Sequence, residues 1–188
     1  MLPRMSNDWV IRNVEPADAA GVLAAFSSCP EMSRQGRVTN LAEARAYIDW
    51  LLAEDREARV AAQPVGGAVF SLVAATLDRA NRSAWVFYWA HREARGQGIT
   101  SRLVREFADE LLGTGVERLE LGYRLNNPAS ARVAEAAGFI VEGIERGKFL
   151  IDGVRVDAAV AARLTSDPWP GDQESPQRPC ASATHRFT

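Results

Sequence analysis

The stretch Arg95-Gly96-Gln97-Gly98-Ile99-Thr100 decides how the rest of the chain is read. Before it lies the aromatic, apolar run Ser83 to Ala90, with the composition of a strand. After it Ile99, Leu103, Phe107 and Leu111 recur four apart, with Val104 and Leu112 widening the stripe, which predicts a helix from about Gly98 to Leu112. The hexamer is therefore a strand-to-helix turn. Gly96 and Gly98 let the backbone approach a ligand where a Cβ would obstruct it. The first amide N–H groups of a helix lack intrahelical partners and aim outward, which suits phosphate oxygens, and Arg95 adds a charge-assisted contact at the mouth. Taken alone, the hexamer is equally well an ordinary glycine-rich turn. Nucleotide motifs are excluded, because no Gly-Lys-Ser/Thr follows and the glycines do not form a dinucleotide fingerprint.

Working toward the N-terminus, Ala68 to Leu77 pairs with Ser83 to Ala90 as two strands joined by the polar turn Asp78 to Arg82. Pro64-Val65-Gly66-Gly67 is turn chemistry, and Arg59 to Ala62 before it reads as a short strand. A helix begins near Asn40, with Glu43 completing a capping box and Leu41, Ala44, Ile48 and Leu51 or Leu52 on its apolar face. Cys29 to Val38, with Pro30 and Gly36, reads as a loop. Pro16 opens a helix running through Ala17 to about Phe26, and Trp9 to Val14 is a first strand. Toward the C-terminus, Gly113 and Gly115 end the central helix, and Leu119, Leu121 and Tyr123 alternate as in a strand. Pro128 to Ala137 is a short helix that Asn127 can cap and Gly138 can end. Ile140 to Ile151 and Val154 to Leu164 form a hairpin around Asp152-Gly153, a pair that favours a type I′ turn.

The second informative segment is Asn127-Pro128-Ala129-Ser130, followed by Gly138-Phe139 and Glu142-Gly143. Separately, Asn127 is a helix cap and Ser130 a first-turn serine. The order of the two segments, with Asn127 lying 31 residues after Gly96, changes that reading. Strand, Arg-Gly-Gln-Gly-Ile-Thr, helix, strand, Asn-x-x-Ser, Gly-Phe, Glu-Gly and a closing hairpin resemble the GCN5-related N-acetyltransferases (GNAT). Within that superfamily the chain is most similar to the ribosomal-protein N-terminal alanine acetyltransferases (the RimJ/RimL-like branch). The resemblance covers roughly residues 9–165. It implies a mixed α/β fold with a central, mostly antiparallel sheet of about six to seven strands, a splayed cofactor-binding strand and about four flanking helices. The family pattern is Arg/Gln-x-x-Gly-x-Gly/Ala, and Thr100 departs from it at the last position; its hydroxyl either meets a phosphate or only crowds the turn.

The resemblance assigns the pyrophosphate of acetyl-CoA, the cosubstrate, to Arg95, Gly96, Gln97, Gly98, Ile99 and Thr100. Tyr88, Trp89 and Ala90 match the splayed strand whose backbone pairs with the pantetheine arm, which Asn127 also contacts. Many superfamily members carry an acid tyrosine seven residues after this asparagine; Ala134 stands there, so Ser130 is the catalytic hydroxyl. The implied reaction is direct acetyl transfer to a primary amine, either a peptide N-terminus or a small molecule. A neutral amine attacks the thioester carbonyl, a backbone N–H near Ala90 stabilises the oxyanion, and Ser130 or a water it orients protonates the leaving thiolate. No cysteine lies in either motif, so an acyl-cysteine intermediate is not expected. The general base is unassigned: His91, Glu142, Glu145 and Asp157 are candidates, Phe149 stands where some of the branch carry a glutamate, and deprotonation through water is the default. The loop Cys29 to Val38 and the closing hairpin border the acceptor site in the family; Arg34 and Arg37 there suit a partner with acidic groups, or are simply solvated.

Composition bounds the alternatives. The chain has 188 residues with 47% apolar and 24% charged, the balance of one globular domain. With 22 basic and 24 acidic residues, the formal charge of −2 argues against direct nucleic-acid binding through overall basicity. Lys148 is the only lysine, the mark of a GC-rich coding sequence. Two cysteines, Cys29 and Cys180, cannot build a disulfide framework and point to a reducing compartment. The uncharged stretch Val65 to Leu77 falls short of the roughly 20 residues of a span, and Met1 to Met5 lacks the apolar core of a signal peptide, so a cytoplasmic protein without membrane contact is expected. With His91 and His185 the only histidines, no metal is expected. A homodimer is compatible with all of this. An acyl-CoA-binding sensor without turnover, or an interaction domain using its tail as a docking peptide, are the other readings. From Ser166 the composition shifts to Pro, Ser, Gln and Asp without apolar period, so residues 166–188 read as a mobile tail. Its deletion is expected to leave the melting temperature unchanged; a large drop would show that Trp169 docks on the domain.

Overall fold

The computed structural model describes residues 9–64 and 67–168. Val65 and Gly66 of the first turn, and the tail from Trp169 through Cys180 and His185, lie outside the described residues. Seven strands form one sheet: β1 (Val10–Asn13), β2 (Arg56–Ala62), β3 (Val69–Asp78), β4 (Ser83–Ala90), β5 (Arg118–Arg124), β6 (Ile140–Ile151) and β7 (Val154–Leu164), in the spatial order β1-β2-β3-β4-β5-β7-β6. Neighbours are antiparallel except β4 and β5, which run parallel. Helices α1 (Ala19–Ser27) and α2 (Leu41–Leu51) cover one face; α3 (Ile99–Leu112) and α4 (Pro128–Ala136) cover the other. The mixed α/β class, the strand number and the four helices agree with expectation.

This layering explains why β3 is apolar without alternation: both of its faces are buried. Val69, Leu72 and Ala74 pack under α1 and α2, whereas Phe70, Val73 and Ala75 pack under α3. The phase changes where Ala61 pairs with Ser71 but Ala62 pairs with Val69, leaving Phe70 as an extra residue in the ladder. The stripe predicted for α3 is buried as expected, with Leu103, Val104, Phe107 and Ala108 at 1% exposure or less.

Local signals operate with small corrections. Pro16 opens a 3-10 turn, Pro16–Asp18, before α1 begins at Ala19. Asp18 is fully buried there; it accepts two hydrogen bonds from the Arg12 guanidinium and one from Glu15 N. Asn40 Oδ1 caps α2 by accepting from Glu43 N at 3.0 Å. The Glu43 carboxylate reaches Thr39 N and Oγ1 instead of the Asn40 amide, so the capping box closes one residue early. The expected loop Cys29 to Val38 contains a 3-10 turn, Pro30–Arg34, pinned by buried Met32. Strand β2 starts at Arg56, not Arg59. Its first residues are charged and are held by contacts that no apolar alternation reveals: Arg56 over the Trp50 ring at 4.3 Å, and Arg59 paired with Glu57 and Glu110.

The closing hairpin turns as predicted, with φ of 50° at Asp152 and 80° at Gly153. Its ladder is not regular. Glu142 is an extra residue between Val141 and Gly143, and Arg146-Gly147-Lys148 together face Asp157. Gly147 adopts φ 60° and donates to Asp157 Oδ1 at 2.7 Å, which fixes the second bulge.

Candidate active site

Strands β4 and β5 pair only over Ser83–Trp85 with Arg118–Glu120 and then part. His91 N donates to Phe70 O, so the backbone of the odd-numbered residues of β4 faces β3. By the strict alternation of a strand, Val86, Tyr88 and Ala90 then turn their N–H and C=O groups into the gap left by β5. This is the splayed edge that the sequence resemblance implies. The gap widens into a cleft of about 420 Å³ reaching Asn127 and Ser130 of α4, the turn at Arg34 and Gln35, and the hairpin tip at Phe149–Asp152.

Tyr88, Trp89 and Ala90 do not contribute alike. Tyr88 and Ala90 offer backbone groups to the gap. Trp89 offers none, which corrects its assignment to the cofactor: its backbone pairs with Leu72 of β3, and its indole is buried under α1 and α2, donating from Nε1 to Tyr47 Oη at 3.1 Å. Its carbonyl also accepts from Ser71 Oγ at 2.7 Å.

The hexamer Arg95 to Thr100 carries the far end of the gap into α3. Gly96 and Gly98 have φ of 77° and 76°, and a Cβ on either would meet no protein atom within 4 Å, so the left-handed backbone borders open space. Gly98 is the N-cap and supplies no side-chain acceptor; the first intrahelical bond is Arg102 N to Gly98 O. The N–H groups of Ile99, Thr100 and Ser101 therefore lack helical partners, and the first turn holds no acidic residue. Such an arrangement can accept an anion. Four side chains of the motif are engaged with the protein itself. Ile99 is 3% exposed and belongs to the core, so it brings only its amide. Thr100 Oγ1 lies 3.0 Å from Ser71 Oγ; because the Ser71 proton goes to the Trp89 carbonyl, Thr100 is the donor, and its hydroxyl ties α3 to the strands instead of facing a phosphate. Arg95 donates from its guanidinium to Cys29 Sγ at 3.0 Å, and Gln97 Nε2 donates to Glu93 O.

Asn127 and Ser130 do come together. Asn127 Oδ1 caps α4 by accepting from Ser130 N at 3.3 Å, and its Nδ2 donates to Ser130 Oγ at 2.9 Å. That leaves the serine hydroxyl proton free to point at a ligand. Tyr88 Oη donates to the Ser130 carbonyl at 3.0 Å, and burial pushes the phenol up to about 12, so this hydroxyl is a brace and not a proton source. Tyr123, read from sequence only as part of an alternating stripe, also lines the cleft, and its hydroxyl has no hydrogen-bond partner among the described residues. The signal that could have found it is a hydroxyl-bearing residue on the last inward position of β5.

None of the four candidate bases reaches the cleft. His91 is buried, which lowers its pKa, and Nδ1 accepts from Glu93 N at 3.1 Å; the ring proton therefore sits on Nε2 and no lone pair is free. Both Glu142 oxygens accept from Arg118, which holds the carboxyl below its usual range. Glu145 pairs with Lys148, and Asp157 is occupied by Gly147 N. Phe149 does line the cleft. Among the described residues no group of three or more His, Cys, Asp or Glu is arranged to hold a metal ion, and no helix is long and apolar enough to cross a membrane.

Comparison with known proteins is consistent with this geometry. The ribosomal-protein-serine acetyltransferase of Escherichia coli is 32% identical over 78 residues, 40% of this chain and 44% of that protein. The chain spans about half the length of the curated relatives it matches. Among solved structures, the ribosomal-protein-S5-alanine acetyltransferase of Vibrio fischeri superposes with a TM-score of 0.72 at 19% identity, covering 88% of this chain and 97% of that one. A chimera of the Vibrio cholerae spermidine N-acetyltransferase SpeG and hSSAT gives 0.72 at 19%, covering 84% and 96%. At such identities these two show the shared fold. Residues 9–140 match the acetyltransferase (GNAT) domain, and the chain belongs to that family.

Proposed function

We propose that residues 9–165 form an N-acetyltransferase domain that transfers the acetyl group of acetyl-CoA directly to a primary amine. The observation that carries this reading is the open edge of β4 leading into the uncapped N-terminus of α3. One supplies backbone partners for an amide-bearing arm, the other amides for its phosphates. The thioester fits where the edge faces Ser130. There the Ala90 N–H, turned into the gap, donates to the carbonyl oxygen as it gains charge. Ser130, oriented by Asn127, gives its proton or a hydrogen bond to the departing sulfur. No cysteine lines the cleft among the described residues, which supports transfer without an acyl-enzyme. With the four candidate bases otherwise engaged, the ammonium loses its proton to water entering the cleft.

A thiol-release assay with acetyl-CoA over a panel of peptides and small amines tests the reading. Turnover with at least one amine is expected. CoA binding without turnover across the panel would favour a sensor, for which the absent tyrosine at Ala134 speaks. No CoA binding would favour an interaction domain.

Ser130→Ala is expected to lower kcat by about 10²-fold or less, since water can substitute, with little change in acetyl-CoA affinity. Unchanged kcat where chemistry limits the rate removes Ser130 from the mechanism. A larger loss in Tyr123→Phe would transfer the acid role to that phenol.

A further inference from the structure

The cleft passes through the sheet, and its two mouths differ in chemistry. On β5, Leu119, Leu121 and Tyr123 face the core under α3 and α4, so Gly122 and Arg124 face the opposite side. Gly122 confirms the direction: a Cβ there would meet Trp85, whose odd-numbered neighbours Phe87 and Trp89 pack on the α1/α2 side. The mouth on this side carries Arg124 from β5 and Arg34 from the turn after α1, both lining the cleft. Arg124 is half-buried, and its side chain has no ion pair or hydrogen bond among the described residues. Among the described residues Arg34 pairs with Asp152, at 3.6 Å, a carboxylate 90% exposed, and also feels the exposed Glu31, which does not line the cleft. Burial lowers the Arg124 pKa, and the nearby Arg34 charge lowers it further. Two guanidiniums facing one cleft against one solvated carboxylate are an electrostatic cost to the empty protein, and an anion there removes it. Arg37, the other sequence candidate, lies outside this arrangement: it is 86% exposed and paired with Glu43.

We infer that the acceptor amine enters from the α1/α2 side and carries an anionic group, a carboxylate or phosphoryl, that Arg124 and Arg34 bind while the amine reaches the thioester beside Ser130. This rests on the acetyltransferase reading and narrows its acceptor class: polyamines and other cationic amines are disfavoured by the same two charges. The nearby apolar walls, Phe87 and Phe149, accept a short carbon skeleton between the two functional groups. The shared chemistry is an amine with an anion within a few bonds, whether in a free amino acid or in a peptide whose first residues are acidic.

The test compares thiol release from acetyl-CoA with matched acceptors: an amino acid against its amide, a peptide beginning Ala-Glu-Glu against Ala-Gln-Gln and Ala-Lys-Lys, and spermidine. The anionic member of a pair is expected to have the higher kcat/KM. The pair that separates distinguishes the free acid from the peptide. Arg124→Gln and Arg34→Gln are each expected to raise the acceptor KM about 10- to 100-fold, the range for one charged hydrogen-bonding partner, while the acetyl-CoA KM stays put. Arg124→Lys should recover part of the loss, because it keeps the charge without the planar fork. Equal or better use of the neutral or cationic member in both the amino-acid and the peptide comparison, or better use of spermidine than of every anionic acceptor, overturns the inference and leaves the acetyltransferase reading standing, as does an unchanged acceptor KM in both glutamine variants. Failure to bind acetyl-CoA overturns both.

Discussion

Gly98→Val is expected to abolish CoA binding, and Gly98→Asn to weaken it at least about 100-fold while the fold persists. Gly98 has φ 76° and faces open space, so the two effects of a side chain can be separated. Valine is strained in the left-handed region, where an L-residue loses roughly 1–2 kcal/mol and a β-branched one more. Asparagine visits that region readily, so it keeps the turn but places its side chain in front of the Ile99, Thr100 and Ser101 amides. Losing two hydrogen bonds to charged phosphate oxygens, at about 1.5–3 kcal/mol each, gives the expected fall in affinity. Arg95→Ala should cost about 10-fold or less, because its guanidinium is on Cys29 Sγ and the amide cradle survives its removal. Calorimetric titration with CoA beside thermal melts separates binding from stability. A folded Gly98→Val protein with normal CoA affinity would remove this loop from the cofactor site.

The second large effect is on stability. Arg163 is 2% exposed yet joins three elements: from β7 it pairs with Asp109 of α3 at 2.7 Å and donates to the Ala137 carbonyl at the end of α4 at 2.9 Å. Arg163→Met leaves that carbonyl and the Asp109 charge without this partner. Breaking a buried pair from one side costs about 3–5 kcal/mol, and the low end applies because Asp109 keeps 30% of its side chain in water. A fall in Tm of roughly 6–12 °C follows for a domain of this size. The double variant Arg163→Met/Asp109→Leu should recover much of the loss, since replacing both partners by apolar groups leaves no orphan charge. A single variant melting within about 2 °C of the parent would show that the pair is not holding α3 and α4 to the sheet.

What could be read along the chain is what neighbouring residues determine. The α3 stripe, the Asn40 and Asn127 caps and the Asp152-Gly153 turn depend on residues within one or two turns, and each is found where expected. Direction and partnership were not legible. Tyr88, Trp89 and Ala90 look alike as strand residues; only the placement of β3 on one side and the parting of β5 on the other decides which backbone groups stay open. Thr100 looks available for phosphate until Ser71, 29 residues away, takes its proton. Arg34 and Arg124 meet in the cleft only because the turn after α1 and the end of β5 flank the same gap. Charged residues engaged in ion pairs, as at the start of β2, also hide strand from any hydrophobic pattern.

Direct transfer of the acetyl group across the β4/β5 gap leaves no covalent intermediate on the protein. A single turnover with acetyl-CoA and an anionic amine, stopped and measured by mass spectrometry of both protein and acceptor, tests it most directly. One acetyl group on the acceptor nitrogen, an equivalent of free CoA thiol, and no acetylated protein at any time are expected. Acetyl-CoA left intact across the amine panel, or an acetyl group accumulating on the protein before it reaches the acceptor, would contradict it.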